Sequence, residues 1–137
     1  MSTSITGGCL CARVRFACAA PLGEAAYCHC ADCRKCTGSA FNVSVGVETR
    51  SFAITAGSPR GFAKQADSGM ELTRHFCPDC GSPLFTSSPR HPDRVYVKAG
   101  AFDDPKFIEP AYQSWTRSSV SWATIRPGLP AYETRRS

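Results

Sequence analysis

Nine cysteines in 137 residues limit what this chain can become, and four of them fall within one short stretch. Residues 27–39 read Tyr-Cys-His-Cys-Ala-Asp-Cys-Arg-Lys-Cys-Thr-Gly-Ser. This places Cys28, Cys30, Cys33 and Cys36 in one Cys-x-Cys and two overlapping Cys-x-x-Cys steps. Thiols this close in sequence serve a metal ion, a disulfide framework or redox chemistry. The stretch alone leaves all three open.

The rest of the chain weighs on that choice. The N-terminal Met1-Ser-Thr-Ser-Ile-Thr-Gly-Gly has neither the basic nor the apolar region of a signal peptide. No apolar run approaches the roughly 20 residues that cross a bilayer. A cytoplasmic protein is the expectation, without a membrane partner. In a reducing compartment, clustered thiols are metal ligands or catalytic groups more often than disulfides, and an odd count leaves one unpaired.

The remaining thiols offer a site of their own. Cys77-Pro-Asp-Cys80-Gly81 is a zinc-knuckle pattern, in which a tight turn aims two thiolates at one ion. A closed tetrahedral site needs two more ligands. Cys9 and Cys11 supply a pair at the mouth of a predicted strand, where extended backbone points both one way and Leu10 the other. In the dense stretch, Cys28 and Cys30 share a face, Cys33 follows on the next turn, and His29 points away. Three ligands would leave the fourth position of a catalytic zinc, unless Cys36, three residues after Cys33, closes it. Cys18 reads as a small core residue.

Local patterns favour strands. Alternation marks 12–18, 40–47, 51–55, 71–77, 84–87 and 94–98, with a weaker strand at 61–65. Gly7-Gly8 and 66–69 read as turns. Residues 32–37 read as one or two helical turns closed by Gly38. Residues 99–112 are Pro-rich and aperiodic, and Trp115 and Trp122 are expected to pin the tail. No linker or repeat interrupts the chain, so residues 1–137 read as a single, mainly β domain of short antiparallel strands.

Three ordered motifs carry a resemblance. They are Gly7-Gly8-Cys9-Leu10-Cys11, then Cys28-His29-Cys30-x-x-Cys33-Arg34-Lys35-x-x-Gly38-Ser39, then Phe76-Cys77-x-x-Cys80-Gly81-Ser82. Over about residues 5–125 the chain resembles the glutathione-dependent formaldehyde-activating enzyme family, whose domain is shared with a centromere protein. The resemblance implies a tent-like, zinc-bearing fold. It implies a structural zinc on Cys9, Cys11, Cys77 and Cys80, and a catalytic zinc on Cys28, Cys30 and Cys33. The implied activity is carbon–sulfur lyase chemistry, the reversible joining of glutathione and formaldehyde to give S-hydroxymethylglutathione.

The expected partner is therefore a small thiol such as glutathione, with Arg34 and Lys35 available to its carboxylates and Asp32 or His75 as nearby candidate bases. The alternative is a non-catalytic zinc scaffold for a macromolecular partner. The net charge of +5 is mild, and no basic stripe interleaved with aromatics accompanies it. Nucleic acid is thus not the expected partner. A homo-oligomer is compatible with the sequence.

Overall fold

The computed structural model describes residues 4–20 and 22–136. Its strands are β1 (Ser4–Gly8), β2 (Arg15–Ala19), β3 (Ala25–Cys28), β4 (Asn42–Glu48) and β5 (Phe52–Ala56), then β6 (Arg60–Gln65), β7 (Glu71–Phe76), β8 (Pro83–Ser87), β9 (Arg94–Lys98) and β10 (Pro110–Ser114). One helix of seven residues, α1 (Ala31–Thr37), follows β3. The fold is mainly β, as the alternation of the sequence demands.

The strands form two sheets, one ordered β1-β2-β5 and one ordered β10-β3-β4-β9-β8-β7-β6. Neighbours are antiparallel except β10 and β3, which run parallel. Between the sheets lies an aromatic seam. The Phe16 ring from β2 sits 5.4 Å from that of Phe52 and 5.5 Å from that of Phe102, and Phe52 packs 4.9 Å from Phe85. Val45, Val47, Val95, Val97 and Leu84 fill the rest of this core. Burying side chains of this size contributes about 1.5–3 kcal/mol each.

Register sorts the residues of the larger sheet onto its two faces. His75, Phe85, Val97, Val45 and Ala25 stand opposite one another across successive strands and face the core. The adjacent row, Arg74, Thr86 and Tyr96, lies on the other face, as do Lys98, Ser44 and Asn42. Cys28 pairs with Asn42 and belongs to that polar face. Helix α1 is tied to this face, with Asp32 Oδ1 accepting from Lys64 Nζ of β6 at 2.6 Å.

Several local expectations change. Gly7-Gly8 is not a turn but the end of β1, paired with Phe16 and Arg15. A Cβ on Gly7 would meet the carbonyl oxygen of Ala101 at 2.4 Å, so the glycine permits close approach. The strand expected at 12–18 starts only at Arg15, because Ala12 takes φ +67° in a turn. β10 emerges from a stretch without period, paired with β3 rather than patterned by itself. Trp122 is 74% exposed and pins nothing.

Candidate metal centre

The four-thiol cluster is built by two turns at corresponding ends of the two sheets. After β1, the chain folds back through a turn in which Ala12 N–H donates to the Cys9 carbonyl at 3.1 Å. This turn, not strand alternation, brings Cys9 and Cys11 to one side. After β7, Gly81 takes φ +77° and its N–H donates to the Cys77 carbonyl at 2.8 Å. Few residues other than glycine adopt that backbone readily.

The sulfurs of Cys9, Cys11, Cys77 and Cys80 all lie within 4.8 Å of one another. Cys9 Sγ is 3.6 Å from Cys11 Sγ, which is 3.8 Å from Cys77 Sγ. Four thiolates at about 2.3 Å around a tetrahedral ion stand about 3.8 Å apart, so the donor set fits a metal. Backbone donors orient it: Val14 N–H points to Cys9 Sγ at 3.3 Å, and Asp79 and Cys80 N–H to Cys77 Sγ at 3.4 and 3.5 Å. The Ser82 side chain, followed by its backbone N–H, holds the Cys80 thiol down at about 5. Such contacts favour the ionised form that binds metal.

The three-thiol cluster is local. Cys28 ends β3, Cys30 caps α1 by accepting from Cys33 N–H at 3.3 Å, and Cys33 lies buried in the first turn. Their sulfurs also lie within 4.8 Å of one another. Hydrogen bonds from the Cys30 and Cys33 thiols hold Cys28 down at about 3, outweighing its burial, and the Ser114 hydroxyl adds to this. The same contacts push Cys33 up, and Cys28 pushes Cys30 up. Binding a cation here would require the three thiols to give up their protons.

Cys36 is not a member of this group. Its sulfur turns back to the Cys33 carbonyl at 3.5 Å and toward Lys98 Nζ at 3.9 Å. His29 also stays out: it is buried, its Nε2 meets Gln113 Oε1 at 2.9 Å, and its ring packs on Phe41. Asp32 is committed to Lys64. His75 lies on the core face, stacked 4.2 Å from Phe85 with Nε2 on Ser87 Oγ, so the sheet separates it from Cys28. Burial holds its pKa below the ordinary value. Lys35 is exposed beside a basic cleft with Lys64 and Arg74. Cys18 is buried in the core.

Sequence reasoning missed Asn42, Lys98, Gln113 and Ser114 around the site. Gln113 and Ser114 belong to the strand that has no period. Asn42 and Lys98 are polar residues on otherwise ordinary strands; register places Asn42 opposite Cys28, and the Lys98 side chain reaches Asn42 and Cys36.

Two packed β-sheets carry one four-thiol and one three-thiol cluster, each of which could hold a metal ion. The family model described as glutathione-dependent formaldehyde-activating enzyme matches residues 4–118, and the chain belongs to that family. A Halomonas elongata relative is 33% identical over 106 residues, covering 72% of this chain and 66% of its own length. Its name provisionally assigns it as a glutathione-dependent formaldehyde-activating enzyme. The crystal structure of a Rhodobacter sphaeroides protein, a structural genomics target, superposes with TM-score 0.57. It covers 93% of this chain and 98% of the other at 16% identity, a likeness of fold alone. No helix among the described residues is long and apolar enough to cross a membrane.

Proposed function

We propose that this chain is a zinc-dependent enzyme of the carbon–sulfur lyase type. In this reading it binds glutathione or a similar small thiol and adds it reversibly to an aldehyde such as formaldehyde. The observation that carries this reading is the convergence of Cys28, Cys30 and Cys33 with Cys36 turned aside. Family membership supports the thiol and the aldehyde. Cys9, Cys11, Cys77 and Cys80 would hold a structural zinc, and Cys28, Cys30 and Cys33 a catalytic one.

Zinc held by three thiolates lowers the pKa of a thiol taking its fourth position, supplying a nucleophile near neutral pH. The chain's own residues prepare that position. The end of β3 and the first turn of α1 fix the three donors, and the Cys33 N–H on Cys30 Sγ sets the orientation of one. Cys36 is held off by its own turn and by Lys98, which keeps the set at three. In the reaction, sulfur forms a bond to the aldehyde carbon while the carbonyl π pair moves to oxygen. That oxygen gains the proton the thiol gave up, and the reverse path releases both reactants.

The scaffold reading draws support from the mild basic charge and from Cys36 as a closing ligand, and the Cys36 sulfur turns away from the other three thiols. Exchange NMR on glutathione and formaldehyde tests the enzyme reading. The zinc-loaded chain should speed the interconversion with S-hydroxymethylglutathione, and Cys30→Ser should abolish the acceleration. Equal acceleration by Cys30→Ser would refute the role.

A further inference from the structure

Lys98 is a charge that the fold buries without neutralising. It ends β9 with 7% of its surface exposed. Among the described residues no carboxylate pairs with it. Its ammonium donates to Asn42 Oδ1 at 2.7 Å and approaches Cys36 Sγ at 3.9 Å, which leaves one of three N–H groups uncommitted. Asn42 is fixed in turn, because its Nδ2 donates to Ser44 Oγ at 2.8 Å. One neutral amide returns little of what burying an ammonium costs, and a methionine there would pack without that cost.

The position explains the expense. Lys98 lines a cleft of about 650 Å³ together with Asn42, Thr37, Phe41, Arg15 and Asp103. That volume lies within the usual range for small-molecule sites. Arg15 and Asp103 bridge each other through two N–H···O contacts, so their charges cancel. Lys98 is left as the uncompensated charge in the wall. Asn42, which holds it, is the strand partner of Cys28 and shares its face of the sheet.

We propose that Lys98, held by Asn42, receives a carboxylate of the thiol substrate and so selects anionic small thiols over neutral ones. This assignment rests on the reading of Cys28, Cys30 and Cys33 as the thiol-binding centre. The cleft is reached from the three thiols through Asn42, the strand partner of Cys28, and there the mostly buried ammonium would meet the carboxylate. A charge-assisted contact of that kind is stronger than a neutral hydrogen bond.

The test separates the carboxylate from the thiol. S-Methylglutathione keeps both carboxylates and offers no thiol, and its affinity for the zinc-loaded chain is read by isothermal titration calorimetry. Lys98→Met should weaken its binding by roughly 30-fold or more while the thermal midpoint is unchanged or raised. Lys98→Arg should keep part of the affinity, and Cys36→Ser nearly all of it. If Lys98→Met does not fold, Lys98→Gln serves the same comparison. Equal affinity in wild type and Lys98→Met, or no binding by wild type, overturns the proposal. The preference of turnover for anionic glutathione over neutral 2-mercaptoethanol should shrink in Lys98→Met, and an unchanged preference would count against the proposal. If wild type turns over no thiol at all, the thiol-centre reading fails, while the calorimetry still judges Lys98.

Discussion

The four-thiol cluster joins segments far apart in the chain, whereas the three-thiol cluster is confined to the junction of β3 and α1. Cys9 and Cys11 follow a strand of the smaller sheet, and Cys77 and Cys80 follow a strand of the larger one. The contact between Cys11 and Cys77 spans 66 positions. An ion there would clip the two sheets together and close a long loop, so its binding energy would be folding energy. Cys28, Cys30 and Cys33 close no long loop, and an ion on them would add little to the fold. The difference is one of chain geometry: in the proposed reading the same ligand type would act as a staple or as a reagent according to what it connects.

Breaking the staple should have the largest effect. Cys77 is fully buried, and Cys77→Ser should lower the thermal midpoint by about 15 °C or more, or prevent folding, as read by circular dichroism. A variant that melts like wild type would erase the contrast between the clusters. Cys28→Ser comes next and should reduce thiol-dependent turnover at least ~100-fold. Its thermal midpoint should stay within about 5 °C of wild type.

Cys36→Ser sharpens the comparison from the other side. Its sulfur faces Lys98 and its own helical turn, so metal content and turnover should change less than about twofold. Loss of one ion in this variant would return Cys36 to the ligand set.

The smallest effect concerns the approach to the staple, where Asp103 accepts from Thr6 Oγ1 and Arg15. Arg15, then Thr6, hold its carboxyl down at about 2. Because the folded value is depressed, this contribution is complete above the ordinary carboxylate range and is lost as pH falls through about 2. The pair is partly solvated, so Asp103→Asn should shift the midpoint by no more than about 3 °C at pH 6. The difference should vanish toward pH 2, which melting curves at several pH values would show.

Much of this was legible in the sequence because cysteine spacing is nearly a geometric statement. The Cys77–Cys80 turn with Gly81, the helix closed at Gly38 and the alternating strands β4, β7 and β9 follow from local chemistry. Other features follow from tertiary pairing. Gly7 looks like a turn residue but serves a tight crossing with Ala101, and β10 is defined by its parallel partner. Cys9 and Cys11 converge through a turn at Ala12, where sequence suggested alternation. Lys98 could not be singled out before register placed it beside Asn42 on the face that bears Cys28.

The central claim, that one cluster is a closed staple and the other an open three-thiolate centre, is tested most directly by native mass spectrometry of Cys30→Ser. Zinc-loaded wild type should carry two ions, and the variant should carry one while keeping the charge-state distribution of a folded chain. A folded variant that still carries two ions, or one that loses both and unfolds, would contradict the account.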